Sequence, residues 1–289
     1  MEGQQLDIDG VSTYVIDRGE GPSVVLLHGA AVGVDAYITW FRTIDALAND
    51  YRVVAFDQIG FGRTDLPADG KYKDRLERVD HALSVLAHLN IRNACLVGHS
   101  EGAFMAARVA IVAPEFAERL VIVTSGGTAP DLGGDNDEEW IAASVAAYND
   151  PHKMDSEAAF VRGNGHLSRN PDPEYETILI ENYHRALATG QDKLFTTLRS
   201  SDIDYHRYGD LQKEHVLPFV GELTIPTLLV WADGDATVPV SRGLKLLDMM
   251  PSAEFHLFRD SAHNVMHDQA EKFEILLHGF LDPMRLNKP

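Results

Sequence analysis

The sequence predicts an α/β protein: a doubly wound, mostly parallel sheet with a helical cap inserted into it. Three observations predict this. Short runs that are apolar on both faces alternate with amphipathic helical stretches, as strands buried between two helical layers require. That rhythm stops after Thr124-Ser125-Gly126-Gly127 and resumes at Ile225-Pro226-Thr227, with helical patterns between. The third buried run ends in Gly98-His99-Ser100-Glu101-Gly102, a turn that leads directly into an alanine-rich helix.

The elements follow in order. Val11 to Asp17 reads as a leading antiparallel strand, closed by the turn Arg18-Gly19-Glu20-Gly21-Pro22. Val24 to Leu27 is the first buried strand, Arg52 to Phe56 the second, Ala94 to Val97 the third and Leu120 to Val123 the fourth. Asp80 to Leu89 is a helix with Leu83, Leu86, Ala87 and Leu89 on one face, and Ala103 to Ala110 is another. Helical patterns then cover Glu138 to Tyr148, Ser156 to Arg162, Pro173 to Ala188 and Lys193 to Leu198. Thr227 to Trp231 and Glu254 to Phe258 are the last strands, and Gln269 to Phe280 the final helix. The chain thus divides into a core, 1–127 and 221–289, and a cap, 128–220.

Composition narrows the function. The 289 residues carry 25 Lys and Arg against 44 Asp and Glu, a net charge of −19. Such a chain is repelled by phosphate backbones and anionic lipid heads, which argues against nucleic acid and membrane as partners. The expected partner is a small-molecule substrate, with a homodimer left open. The single Cys95 permits no internal disulfide, and the opening Met1-Glu2-Gly3-Gln4-Gln5 has no signal-peptide pattern, so the expectation is a cytoplasmic protein. The cap alone holds 17 acidic and 8 basic residues, a balance that favours a neutral substrate.

The chemistry is read from turns at strand ends. A serine on a sharp strand-to-helix turn takes strained backbone angles, and small flanking residues keep its neighbours from clashing. Ser100 is therefore the expected nucleophile. It needs a base and an acid that orients the base. His263, in Asp260-Ser261-Ala262-His263-Asn264, follows the last strand and is the expected base. Asp235, in Ala232-Asp233-Gly234-Asp235, ends the penultimate strand and is the expected acid, with Asp233 its rival. The oxyanion hole needs two backbone amides, and Ala30 and Glu101 are expected to supply them. A Glu101 carboxylate beside a developing oxyanion is unfavourable unless it points away or is paired. His263 and His267 are spaced H-x-x-x-H, but no Glu follows the first histidine, and no metal or other cofactor is expected.

Taken together, His28-Gly29-Ala30, Asp57-Gln58-Ile59-Gly60-Phe61-Gly62-Arg63-Thr64-Asp65, Gly98 to Gly102, Asp235 to Pro239 and Ala262-His263 closely resemble the α/β-hydrolase family. The resemblance implies that family's fold, a structural turn at Asp57 to Asp65, and serine chemistry rather than the aspartate nucleophile of epoxide hydrolases and dehalogenases. Spacing and cap are most similar to the meta-cleavage product hydrolases, which hydrolyse a C–C bond in vinylogous diketone acids. The chain departs from that group in having His99 where Asn is common, Asn264 where Trp is common, and Asn182, with Arg185 one turn away, near the position of its cap arginine. His99, Arg162, Arg185 and Asn264 are accordingly the candidate substrate-binding residues. Trp140, Phe160, Leu167, Tyr183 and Phe195 are candidates to line a pocket over Ser100, and Arg162-Gly163-Asn164-Gly165-His166 is a candidate cap loop.

On this reading the expected activity is that of a cofactor-free serine hydrolase of a small, mostly apolar ester or lactone, working through an acyl-enzyme. The alternative is C–C hydrolysis of a dienol acid, for which Arg162, Arg169 and Arg185 are the candidate cap cations. A non-catalytic binding protein on the same fold is the third reading.

Overall fold

The computed structural model describes residues 3–148, 150–170, 172–200 and 205–282, the side chains of 196–200 and 205–208 excepted. Its centre is an eight-stranded sheet: β1 (Gln4–Ile8), β2 (Val11–Arg18), β3 (Ser23–Leu27), β4 (Arg52–Phe56), β5 (Ala94–His99), β6 (Ala117–Val123), β7 (Thr227–Ala232) and β8 (Ala253–Phe258). The spatial order is β1-β2-β4-β3-β5-β6-β7-β8. β1 pairs antiparallel with β2, and β2 with β4; every other neighbouring pair is parallel. The doubly wound, mostly parallel sheet of the sequence reading is thus the fold found. β1 went unread because Gln4-Gln5-Leu6-Asp7-Ile8 buries one residue and offers no apolar run.

The helices of the core are α1 (Ala36–Leu47), α2 (Arg75–His88) and α3 (Glu101–Val112). Those between β6 and β7 are α4 (Asp135–Tyr148), α5 (Glu157–Asn164), α6 (Pro173–Thr189), α7 (Gln191–Ser200) and α8 (Tyr205–His215). After β7 come α9 (Val240–Met249), α10 (Val265–Asp268) and α11 (Ala270–Leu281). β3 to β7 are nearly wholly buried, so their apolar side chains serve two layers. One face packs on α2 and α3 through residues such as Leu96, Phe104 and Ile122; the other packs on α1 and α11 through Trp40, Val97, Val121 and Phe273. A third apolar cluster, with Phe160, Ile178, Leu179 and Tyr183, ties α5 and α6 to Phe41 of α1.

Local chemistry sets the ends that matter for the site. α2 begins well before Asp80, because Asp74 accepts from the amides of Leu76 and Glu77 while Glu77 reaches back to the Asp74 amide. Such a capping box contributes about 1 kcal/mol and fixes where the first turn starts. That start brings Arg75 and Arg78 onto the helix. The stretch Arg162 to His166 is not a separate loop: α5 runs through Gly163 to Asn164, and a 3₁₀ turn covers Gly165 to Leu167. Among the described residues no helix is long and apolar enough to cross a membrane.

Candidate active site

In a parallel sheet the loops at the strands' carboxyl ends share one rim, and ligands bind there. Ala30 follows β3, Ser100 follows β5, Asp235 follows β7 and His263 follows β8, so four distant segments meet on that rim. Ser100 sits at φ 54°, ψ −121°, a left-handed φ that a non-glycine residue adopts only under strain. The close approach of strand and helix explains both glycines. A methyl on Gly98 would lie 2.4 Å from the Ala103 Cα, and one on Gly102 would lie 2.2 Å from the Leu27 carbonyl oxygen. The Ser100 amide donates to Val123 at 2.9 Å, and its carbonyl accepts from Ser125 Oγ at 2.8 Å, so the turn is clamped by β6.

His263 Nδ1 lies 2.7 Å from Asp235 Oδ2. Asp235 Oδ1 accepts from the amide and hydroxyl of Thr237, each at 2.8 Å, and from the Val238 amide at 3.1 Å. Burial pushes the Asp235 carboxyl up, but the nearby His263 and these hydrogen bonds outweigh it and hold the group below its ordinary value. An ionised Asp235 makes Nδ1 of His263 the donor and leaves Nε2 as a base. The backbone of His263 is fixed as well: its carbonyl accepts from His99 Nε2 at 3.1 Å and Thr124 Oγ1 at 2.8 Å. Asp233 is spent elsewhere, accepting from the Asp260 amide at 2.9 Å.

The expected oxyanion amides, Ala30 and Glu101, border the same cavity as Ser100 and His263. The Glu101 side chain turns to Arg75, which grips it through Nε at 2.6 Å and through Nη2, and to Arg78 Nη2 at 3.3 Å. Burial alone would raise the Glu101 carboxyl; the two guanidiniums bring it below its ordinary value. The network continues inward. Arg78 donates to Gln58 at 3.0 Å, and the Gln58 amide donates at 3.0 Å to His28 Nε2, whose Nδ1 donates to the Gly29 carbonyl at 2.7 Å. Burial pushes His28 down to about 3, so it is a neutral structural link. Arg75, Arg78 and Gln58 therefore brace the loop that carries Ala30. The sequence signal for them was Asp74-Arg75-Leu76-Glu77, a capping-box pattern left unread.

The cavity above Ser100 has a volume of about 930 Å³ and reaches to Trp140, Ile141 and Tyr148 of α4 and Phe195 of α7. Trp140 donates its indole N–H to the Thr237 carbonyl, which ties α4 to the acid-bearing loop. Of the five aromatic and aliphatic candidates, Trp140 and Phe195 line the cavity. Phe160 and Tyr183 fill the apolar cluster that α5 and α6 share with α1, and Leu167 is buried away from the cavity lining.

None of the four candidate substrate-binding residues borders the cavity. His99 lies beneath the serine turn, its ring 4.6 Å from that of His263, and acts on that residue's backbone. Burial keeps it well below its ordinary pKa, with the nearby His263 adding to the effect. Arg162 is exposed on α5. Arg185 is committed to Asp35 at 3.0 Å and to Asn182 at 2.5 Å, in a joint between α6 and the start of α1. Asn264 is buried and donates to the Tyr175 hydroxyl at 3.2 Å. Arg169, the third cap arginine considered, points outward to Asp260.

A strained serine at a strand-to-helix turn, with an acid–imidazole pair from two later strand ends on the same rim, defines an enzyme of the α/β-hydrolase class. The chain belongs to the alpha/beta hydrolase fold family, which it matches over residues 22–270. It is 29% identical over 281 residues to a 2-hydroxymuconate semialdehyde hydrolase of Pseudomonas sp. strain CF600, covering 96% of this chain and 93% of that one. It is also 29% identical to a 2-hydroxy-6-oxononadienedioate/2-hydroxy-6-oxononatrienedioate hydrolase of Paraburkholderia phymatum, over 92% of this chain and 89% of that one. The structure of the meta-cleavage product hydrolase CumD of Pseudomonas fluorescens IP01 superposes with a TM-score of 0.82 at 27% identity, covering 96% and 97% of the two chains. One of these relatives is named for a meta-cleavage product and the other two for a 2-hydroxymuconate semialdehyde and 2-hydroxy-6-oxo dienedioates and trienedioates, and none for an ester or lactone. That finding overturns the expected ester or lactone activity and favours the alternative of C–C hydrolysis.

Proposed function

We propose that this enzyme hydrolyses a C–C bond in a vinylogous diketone, or dienol, acid of the meta-cleavage product type. The observation that carries the reading is nearly end-to-end similarity to hydrolases so named, in a chain whose Ser100, Asp235 and His263 stand on one rim. In the proposed reaction His263 Nε2 takes the proton of Ser100 as its Oγ attacks the substrate carbonyl. The oxyanion that forms is met by the amides of Ala30 and Glu101. Asp235 holds the imidazole in the tautomer this step needs and offsets its positive charge.

The adjacent C–C bond then breaks. The acid reacts as its vinylogous diketone tautomer, in which the departing carbon is a CH2 conjugated through C=C to the second carbonyl. The electron pair of the broken bond therefore passes into that system as a dienolate, and His263 returns a proton to the dienolate oxygen to give the enol. Water, activated by the same imidazole, hydrolyses the acyl-enzyme. The balance is one water consumed, one carboxylic acid and one enol released, with no oxidant and no cofactor. The substrate is a small molecule enclosed under residues 128–220 acting as the cap. A buried, unpaired Cys95 supports a place in the cytoplasm.

The test compares kcat/KM for a ring-fission dienol acid with that for a p-nitrophenyl ester. The acid is expected to be preferred by orders of magnitude. A preference for the ester would overturn the reading.

A further inference from the structure

The carboxyl end of β6 lies between the serine turn and the histidine loop, and it holds both. The Val123 carbonyl accepts from the Ser100 amide at 2.9 Å, and the Ser125 hydroxyl donates to the Ser100 carbonyl at 2.8 Å. Thr124, between them, serves the other residue: its hydroxyl donates at 2.8 Å to the His263 carbonyl. Its amide is spent on the Val230 carbonyl of β7, also at 2.8 Å. Val123, Thr124 and Ser125 thus fix the backbones of the two residues that must meet.

Thr124 takes φ 40° in doing so. A branched β-carbon crowds the backbone in that region, where glycine is the ordinary occupant and threonine a rare one. Such strain persists only where surrounding contacts over-determine it, and it gathers at functional sites. Thr124 is fully buried and does not border the cavity, so it acts through His263 and not on substrate. The second donor on the same carbonyl, His99 Nε2 at 3.1 Å, comes from the strand that carries the serine. β5 and β6 therefore both reach the histidine loop through one oxygen.

We propose that Thr124 is a positioning residue for the reaction, its hydroxyl setting where the His263 imidazole stands relative to the Ser100 hydroxyl. The assignment rests on reading Ser100 as nucleophile and His263 as base. Asp235 orients the imidazole through Nδ1, and Thr124 anchors the backbone that carries it. The rate is sensitive to that anchoring, because a misplacement of about 1 Å can cost about 10²-fold.

The experiment measures the second-order rate at which a small fluorophosphonate probe labels Ser100 in the full-length enzyme, so the identity of the natural substrate does not enter. Thr124→Val keeps the branched shape and removes the hydroxyl. Thr124→Gly removes the hydroxyl and relieves the backbone. Thr124→Ser keeps the hydroxyl with less bulk. Thr124→Val and Thr124→Gly are expected to react about 10- to 100-fold more slowly than wild type, and Thr124→Ser within about threefold of it. A role in packing alone gives the opposite order, with the valine variant fast and the serine variant slow. A rate within about twofold of wild type in either hydroxyl-free variant, or a Thr124→Ser rate as low as that of Thr124→Val, overturns the assignment even where the serine reading stands. A wild type that the probe leaves unlabelled, or labels equally after Ser100→Ala, fails the serine reading and overturns this one with it. Circular dichroism and a thermal melt confirm that each variant is folded; if one hydroxyl-free variant is not, the other decides.

Discussion

Glu101 shows how one residue can have two separable roles. The residue borders the cavity beside the serine, while its carboxylate is gripped by Arg75 and Arg78, whose side chains are 5% and 0% exposed. The sequence posed the difficulty of a carboxylate next to an oxyanion; the guanidiniums resolve it by turning the charge away and neutralising it. Removing the carboxylate would leave two buried cations short of a partner. Glu101→Ala is therefore expected to cost about 2–3 kcal/mol, because breaking a buried ion pair from one side strands the other charge. Urea unfolding measures this, and a loss below about 0.5 kcal/mol would show that the carboxylate is not what balances the pair.

At the same scale, Ser100 and Asp235 could be singled out because each follows a wholly buried strand, whereas His263 follows β8, of which one residue is buried, and was read from its place between the last strand and the final helix. Arg75 could not be singled out, because its place at the start of α2 is set by the capping box of Asp74 and Glu77 and not by any apolar run. The net acidity of residues 128–220 carries little information about substrate charge, because it averages over residues that do not border the cavity. Distant charges are screened within about 8–10 Å of salt solution, whereas one that borders the cavity is not.

At the scale of elements, the buried strands were readable because two-sided burial writes an unbroken apolar run. The edge strand β1 was missed because an edge needs no such run. α1 was missed too, although Asp35 caps it by accepting from the Ile38 amide at 2.7 Å. Asp35 also receives Arg185 of α6 at 3.0 Å and lies 3.6 Å from Arg63. That joint between cap and core explains why Arg185, one turn from Asn182, could be read as a substrate cation. Helical spacing gives the face of α6 that carries Arg185, and only the fold shows that α1 meets that face.

At the scale of the whole molecule, stability should depend on pH through buried imidazoles. Burial is the largest cause in each case, and it pushes His28 down to about 3 and His81, His166 and His267 down to about 4. The unfolded chain takes up protons below about 6.5, whereas the folded chain resists until about 4, so stability falls as pH drops through that window. Asp57 works the other way. Burial and the neighbouring Asp35 raise it to about 7, so the folded state binds its proton more readily than the unfolded chain. Four imidazoles outweigh one carboxyl. The urea midpoint is expected to drop from pH 7 to pH 5, with a slope of at least about 1.4 kcal/mol per pH unit near pH 5. Equal midpoints at the two pH values would contradict that balance.

Whether the serine on the sheet's rim carries cleavage of a C–C bond is decided by Ser100→Ala acting on a ring-fission dienol acid. The acid is expected still to bind and to change in absorbance, while formation of the cleaved acid and enol falls by about 10³-fold or more. Product formation within tenfold of wild type would contradict the serine's role.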